Sequence, residues 1–222
     1  MASYNIKSVI VYEEEYLVPE SFEVDRVISR TRKPMFIARD RKSKKKFVVS
    51  KIFLEFENLS ELNDELASSL AQFYLNFSKS AKLHHLLLPE DYPLSNHYFK
   101  IVEFMDTDMC SIIRSPQTLT ADHVRYFLYQ LLLHLHYLHS HNLSLINFSP
   151  SVILLSSDCE LKLCEPLFNL KLNCNRIYQT KKFNEYVNST KWYLAPENFI
   201  SNDSTLKSDM WSLGCIFYEQ FV

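Results

Sequence analysis

The sequence is almost without glycine. Its 222 residues contain a single one, Gly214, whereas glycine makes up about 7% of an average protein. Glycine-rich turns allow backbone N–H groups to approach a phosphate closely, as they do in P-loops and in Rossmann-type cradles. One glycine cannot build either turn, so we exclude both of these nucleotide-binding motifs.

The sequence also lacks the marks of a membrane, secreted or nucleic-acid-binding protein. No apolar run approaches the roughly 20 residues of a membrane span, and the N-terminal segment MASYNIKSVIVYEEEY contains no signal-peptide core. The net charge of −2 argues against a nucleic-acid or membrane-surface partner. Five cysteines without CxxC or Cys/His spacing indicate neither a disulfide framework nor a metal site. We expect an intracellular protein that is cytoplasmic, nuclear or both.

Strand-like segments dominate the first half of the chain. They are rich in β-branched and aromatic residues and are bounded by turn residues. A segment with apolar residues at helical spacing, 60–80, interrupts them. The strand-like segments are 22–29, 35–39, 47–53 and 98–103. This order predicts a small α+β unit.

The second half is predicted to be mainly helical. Thr120 can cap a helix with an apolar stripe from residue 124 to residue 138. Two short apolar runs, 152–155 and 161–164, predict a β-hairpin. A long polar loop follows over 166–195, and another apolar-striped helix is expected to begin near Ser208.

Several stretches together resemble the protein kinases, and among them the MAP kinases of the CMGC group. They are EFMDTDMCSIIRS from Glu103, LTADHVRYFLYQ from Leu119, YLHSHN from Tyr137, WYLAPE from Trp192 and SDMWSLGCI from Ser208. In the family these stretches are the hinge with its following helices, the approach to the catalytic loop, the A-P-E element and the next helix. The resemblance implies a bilobal α+β fold with a β-rich N-lobe and a mainly α-helical, C-terminally truncated C-lobe.

The resemblance also implies a domain division. Residues 16–222 would form the kinase-like domain and residues 1–15 an N-terminal extension. Within the domain, residues 16–104 would be the N-lobe and residues 105–222 a partial C-lobe.

The catalytic positions that the resemblance assigns are all altered. Ser50 stands where the phosphate-binding lysine would be, and Asn147 replaces the catalytic aspartate of H-R-D. Val152 replaces the asparagine that binds the second magnesium ion, and Glu165 replaces the D-F-G aspartate. An amide such as that of Asn147 has no useful basicity, and a valine has no ligand atom for magnesium.

Two further catalytic parts are missing or displaced. The segment equivalent to the glycine-rich loop, 28–36, contains no glycine and includes Pro34, which has no N–H to donate. Lys51 follows Ser50 directly, but neighbouring strand residues point to opposite faces, so Lys51 could replace the lysine only after a one-residue register slip. The helical glutamate that would pair with this lysine is either Glu65 or replaced by Gln72.

Kinase catalysis consists mostly of positioning and charge neutralisation around the transferred phosphoryl group. With these parts altered together, we predict that the chain is not an enzyme but a pseudokinase without cofactor or metal. It would act as a scaffold or decoy for protein partners. Two alternatives remain, a residual serine/threonine kinase that uses Lys51 and Glu165 and binds ATP weakly, or a non-functional fragment.

Other family positions are retained. The resemblance gives Glu197 and Asp209 structural roles and leaves Tyr186 as a remnant of the activation lip. It also matches a surface on which MAP kinases bind docking-motif peptides or partner kinases. The matching residues are His123, Tyr126, Phe127, Cys159 and Glu160. Phe127 also lies on the apolar stripe of its helix, so packing alone can explain that residue.

Overall fold

A computed structural model describes residues 5–29, 35–53, 81–90, 97–145, 148–164, 191–201 and 205–220. The chain divides into two compact units, Met1–Phe77 with Lys82–Phe104, and Ser78–Ala81 with Met105–Val222. Within the described ranges, no helix has the length and apolar character that crossing a membrane requires.

The first unit contains a five-stranded antiparallel sheet and a separate β-hairpin. The hairpin pairs β1 with β2, and the sheet has the order β3-β4-β5-β7-β6. The strands are β1 (Ile6–Val11), β2 (Glu14–Pro19), β3 (Phe22–Ser29), β4 (Met35–Asp40), β5 (Lys46–Phe53), β6 (Leu83–Leu87) and β7 (His97–Glu103).

Alternation along the central strands sorts their side chains onto two faces of the sheet. On one face, Tyr16 from the hairpin is completely buried against Phe36 and Phe99, with ring centroids 5.1 and 5.8 Å from its own. Phe47, Val49 and Ile101 belong to the same apolar cluster. We call this side of the sheet the hairpin face.

The second unit is built on a long helix and a small three-stranded sheet. The sheet has the order β10-β9-β8, and α2 carries the buried stripe Val124, Phe127, Leu131, Leu135 and Leu138. The elements are β8 (Thr107–Asp108), α1 (Met109–Arg114), α2 (Ala121–Ser140), a 3-10 turn (Pro150–Val152), β9 (Ile153–Leu155), β10 (Leu161–Leu163), α3 (Pro196–Ser201) and α4 (Leu206–Glu219).

The predicted α+β class with a β-rich N-lobe is confirmed, and most of the predicted elements are found within one or two residues of their expected bounds. Thr120 caps α2 through a reciprocal capping box with His123. The β1–β2 hairpin was not predicted. The helix predicted over 60–80 and most of the polar loop predicted over 166–195 lie outside the described residues.

Candidate functional site

Ser50, which stands where the family has its phosphate-binding lysine, lies in the middle of β5. Its side chain is 4% exposed, and its hydroxyl donates to the carbonyl oxygen of Lys100 at 3.4 Å. The register pairs Ser50 directly with Lys100, and Val48 with Val102. Directly opposed residues of antiparallel strands share one face. We call the face that carries these four side chains the Ser50 face.

Lys51 lies on the opposite side of the sheet. It is paired with Phe99, its Nζ atom is 3.1 Å from Oε2 of Glu14, and the same atom lies 5.8 Å from the ring centroid of Tyr16. The one-residue slip that would bring Lys51 onto the Ser50 face is therefore absent from this register. The hypothesis that Lys51 substitutes for the missing lysine loses its support.

Asp209, the retained structural aspartate, anchors the backbone that leads to Asn147. It is 1% exposed and accepts the N–H of Leu145 at 3.0 Å to Oδ1 and 3.2 Å to Oδ2. Asn147 itself lies outside the described residues. The contact holds the chain two residues upstream of that position, which is a structural task and not a chemical one.

Asp209 also forms a proton-sharing pair with a histidine of α2. His139 Nε2 is 2.8 Å from Oδ2 of Asp209. Burial raises the pKa of Asp209 to about 8, although the Leu145 amide acts in the other direction. Burial lowers the pKa of His139, and the nearby His136 adds to that decrease. At neutral pH the pair therefore holds one proton between two neutral groups.

The described residues do not fit a magnesium site. Val152, at the position of a family magnesium ligand, ends a 3-10 turn and presents only hydrocarbon. Within the described ranges there is no group of three or more acidic, histidine or cysteine side chains that could hold a metal ion. Glu165 lies outside those ranges.

The predicted docking residues lie on α2 and on the β9–β10 connection, and they differ in accessibility. His123 and Glu160 are exposed, Tyr126 is 49% exposed and Cys159 is half-buried. Phe127 is 2% exposed and packs into the core, with its ring 6.5 Å from that of His123. The other four residues are accessible to a bound peptide to different degrees, whereas Phe127 is buried beneath them in the core.

Gln130 is a residue that the sequence analysis missed. Its Nε2 donates to the carbonyl oxygen of Cys159 at 2.9 Å, and its Oε1 accepts the N–H of Leu161 at 3.0 Å. Gln130 thus fixes the β9–β10 connection against α2. A glutamine next to the apolar stripe of a helix was the available signal, because buried amides need backbone or side-chain partners.

Of the other predicted site residues, the structure describes Glu197 but not Tyr186, Glu65 or Gln72. Glu197 accepts a hydrogen bond from the Ser208 hydroxyl at 3.1 Å, which ties α3 to the start of α4. Tyr186 and both candidates for the helical glutamate, Glu65 and Gln72, lie outside the described residues.

Comparison with known proteins identifies the relatives of this chain. A family model described as "Protein kinase domain" matches residues 24–222. Mitogen-activated protein kinase 13 of Arabidopsis thaliana is 36% identical over 184 residues, which cover 82% of this chain and 49% of the relative. Extracellular signal-regulated kinase 1 of Dictyostelium discoideum is 32% identical over 215 residues, covering 96% and 40%. The chain spans about half the length of the curated relatives it matches, or less.

These relatives correct one prediction. The prediction that the chain is not an enzyme is wrong as it stands, because the similar proteins are named as mitogen-activated and signal-regulated kinases. The substitutions at the catalytic positions do not by themselves show that the chain is inactive. With the family model covering nearly all of its length and its sheet and helices in the expected order, the chain belongs to the protein kinase domain family and is MAP-kinase-like.

Proposed function

We propose that the chain is part of a serine/threonine protein kinase of the MAP kinase type, which binds ATP and retains residual phosphotransfer activity. The observation that carries the proposal is the match to the protein kinase domain over residues 24–222. The hydrogen bond from the Leu145 N–H to Asp209 supports the proposal. It fixes the backbone before the segment equivalent to the catalytic loop, and catalysis requires that such a segment hold its substrates in position.

The Ser50 face supplies the surface on which a nucleotide could lie. Val48 is half-buried and Val102 is 8% exposed, so this part of the face is apolar. By resemblance, Val48 replaces the alanine above the adenine ring, and the larger side chain narrows that space. We therefore expect ATP to bind, but more weakly than it binds to kinases that keep the alanine.

A transfer assay with radiolabelled ATP and a basic protein substrate tests the proposal. We expect slow but measurable labelling, and titration with a fluorescent ATP analogue should give saturable binding. Val48→Arg should weaken binding at least tenfold because it fills the Ser50 face. Ile10→Arg is the matched control, because Ile10 is 78% exposed on β1, and should change binding less than twofold. The proposal fails if the protein neither binds the analogue nor transfers phosphate.

A metal-removal experiment sharpens this test. Because Val152 offers no ligand atom, chelation of divalent ions should weaken binding of the ATP analogue by less than about threefold. The measurement is the same titration with and without a chelator. A loss of affinity of a hundredfold or more would contradict the expectation and indicate a magnesium site.

A second candidate function is the docking of partner peptides that carry basic and apolar residues. The supporting observation is the exposure of His123, Tyr126 and Glu160 around a connection that Gln130 fixes to α2. His123 and Tyr126 are three residues apart, so they lie on one side of the helix. The carboxylate of Glu160 could attract a basic residue of the peptide.

Fluorescence titration with a peptide of this composition tests the docking function. The double variant His123→Ala/Tyr126→Ala should lower affinity about tenfold. Tyr129→Ala, which removes a 60% exposed side chain from the same helix, serves as the control and should leave affinity unchanged. Equal affinities for the wild type and the double variant would rule out this surface.

A further inference from the structure

We propose that the β4–β5 turn of the first unit forms an interaction surface for an acid-rich segment of a partner protein. The surface consists of the exposed side chains of Lys42, Lys44, Lys45, Lys46 and Lys82, which we call the lysine patch. This role goes beyond the proposed kinase function and does not depend on it.

Positive charge is concentrated in this turn, although the chain as a whole is slightly negative. Residues 41–46 read Arg-Lys-Ser-Lys-Lys-Lys, and every one of them is exposed. The formal net charge of the whole chain, by contrast, is −2. Like charges on one short turn repel each other, so stability alone does not favour this arrangement. Dense runs of one charge are typical of segments that bind a partner of the opposite charge.

Two acidic side chains beside the turn are already bound to arginines. Oε1 of Glu23 accepts a hydrogen bond from Nε of Arg41 at 2.6 Å. Oδ2 of Asp25 lies 3.6 Å from Nη2 of Arg39. These two carboxylates therefore compensate the arginines that flank the turn and not its lysines.

A third acid, Asp40, fixes the conformation of the turn. Its carboxylate accepts the Ser43 hydroxyl at 2.6 Å and the Ser43 N–H at 3.0 Å, and its carbonyl oxygen accepts the Lys44 N–H. The hydrogen bonds to its carboxylate, that of the Ser43 hydroxyl above all, hold the pKa of Asp40 well below its usual range. Within the described ranges, no acidic side chain forms an ion pair with Lys42, Lys44 or Lys45.

A fifth lysine joins the turn from the start of another strand. β5 and β6 both pair with β7, and their first residues flank the last residues of β7. Because neighbouring strands are 4.7–4.9 Å apart, these two starts are about 10 Å apart. Burial lowers the pKa of His84, and the charges of Lys82 and Lys45 both add to that decrease, so the two ammonium groups lie near one imidazole. The nearby Glu103, whose Oε2 accepts the Lys82 N–H at 3.4 Å, leaves the patch with an excess of positive charge.

The chemistry of the patch favours an acidic peptide over a nucleic acid or a membrane. Proteins bind single-stranded nucleic acid with aromatic rings that stack on the bases, and they bind membrane surfaces with apolar side chains that enter the lipid. Residues 39–46 contain neither kind of side chain. In an extended peptide, carboxylates on one side are about 7 Å apart, so two or three of them cover a distance of about 10 Å.

Fluorescence anisotropy on the full chain, with a labelled peptide of about six aspartate and glutamate residues, tests the proposal. We expect saturable binding that weakens about tenfold when the salt concentration rises from about 0.05 to about 0.3 M, because salt screens exposed charges. A peptide of the same length made of asparagine and glutamine should not bind. The proposal is overturned if the acidic peptide does not bind, or if both peptides bind equally.

Charge reversal shows whether the peptide binds at the patch. Lys45→Glu should weaken binding about five- to tenfold, since a repulsion replaces an attraction, and Lys42→Glu should do the same. Arg26→Glu is the matched control, because it changes the net charge equally at an exposed site of β3. Arg26 pairs with Ile37, three residues or about 10 Å along β4 from Asp40, which exceeds the Debye length of about 8 Å at physiological salt. The control should change affinity less than twofold.

Equal weakening by the patch variants and by the control would show that the peptide responds only to net charge, and this would overturn the proposal. Thermal unfolding verifies that each variant is folded, and the two patch variants provide independent measurements.

Competition identifies the class of partner. The labelled peptide is displaced with unlabelled peptide, with a single-stranded oligonucleotide or with vesicles that contain phosphatidylserine, each at the same total charge. We expect the unlabelled peptide to compete best, because the patch offers neither base stacking nor apolar insertion. Equal or stronger competition by the oligonucleotide or the vesicles would overturn the assignment to an acidic protein segment. The assay contains no ATP, so its outcome is independent of the proposed kinase function.

Discussion

At the scale of single residues, the scarcity of glycine means that other residues occupy backbone positions with positive φ. Five described residues other than glycine have positive φ: Tyr12, Glu13, Lys44, Asn142 and Cys159. Asparagine tolerates this conformation well, but the other four carry a steric cost. Tyr12 and Glu13 form the two-residue turn of the β1–β2 hairpin, where Asn-Gly is preferred.

Lys44 offers a direct test of this cost. It has φ of 61° in the β4–β5 turn, and its N–H donates to the Asp40 carbonyl oxygen at 2.8 Å. Lys44→Gly should stabilise the protein by about 0.5–1 kcal/mol, because relief of strain exceeds the added chain entropy of glycine. Chemical denaturation measures the change. Lys42→Gly, in the same exposed turn without positive φ, should destabilise instead, and equal effects would contradict the explanation.

The Asp209–His139 pair predicts a pH dependence of stability. The pKa of Asp209 is about 8 in the folded protein and about 3.9 when unfolded, so the folded state holds a proton that the unfolded state has lost. Its stabilising contribution is complete below about pH 4 and is lost as the pH rises through 8. His139, whose folded pKa is lowered, opposes this trend only below about pH 6.5.

We therefore expect stability to fall by about 1–2 kcal/mol between pH 6.5 and 8.5. Asp209→Asn, which resembles the protonated acid, should remove most of this decrease when unfolding is followed at several pH values. Asp209→Leu should cost about 1–3 kcal/mol at every pH, because the buried Leu145 N–H loses its acceptor. A wild-type profile that is flat over this window would show that Asp209 remains ionised.

At the scale of elements, alternating apolar residues predicted the strands, and apolar residues at helical spacing predicted the helices, because each pattern reflects burial of one face. The strands β4, β5 and β7 carry buried apolar residues that mark them clearly, whereas Val24 and Ile28 of β3 are exposed and β3 was predicted from its β-branched composition. The β1–β2 hairpin escaped prediction because charged residues and a turn without glycine mask its alternation. The burial of Lys100, which is 5% exposed, was not predicted either, because a lysine within a strand usually faces solvent.

The connection between α2 and the β9–β10 hairpin depends on one amide. Gln130→Leu should destabilise the protein by about 1–3 kcal/mol, because the N–H of Leu161, a buried residue, loses its acceptor. The free energy of unfolding measures this effect. Tyr129→Ala, at the neighbouring exposed position, should stay within about 0.5 kcal/mol of the wild type. A similarly small effect for Gln130→Leu would mean that water replaces the amide.

At the scale of the whole molecule, the kinase family could be predicted from the chain because its helices, loop boundaries and A-P-E element keep their order. The activity could not be predicted in the same way. Activity depends on how charged side chains are arranged around a nucleotide, and two of the altered positions that bear on it, Asn147 and Glu165, lie outside the described residues.

The first unit also depends on its N-terminal hairpin. Tyr16 is fully buried, and burial together with the charge of Glu14 raises the pKa of its hydroxyl to about 12. Tyr16→Ala should cost about 3–5 kcal/mol, as for other large aromatic truncations in a core. Thermal or chemical unfolding would show it. Ile10→Ala, at a 78% exposed site on β1, should have almost no effect.

The position of Tyr16 has a practical consequence. The match to the protein kinase domain model begins at residue 24, but the tyrosine that packs against Phe36 and Phe99 lies upstream of it. A fragment trimmed to residues 24–222 would keep β5 and β7. Its hairpin face, however, would be exposed to solvent and prone to self-association. The protein kinase domain model and the folded unit therefore begin at different residues of this chain.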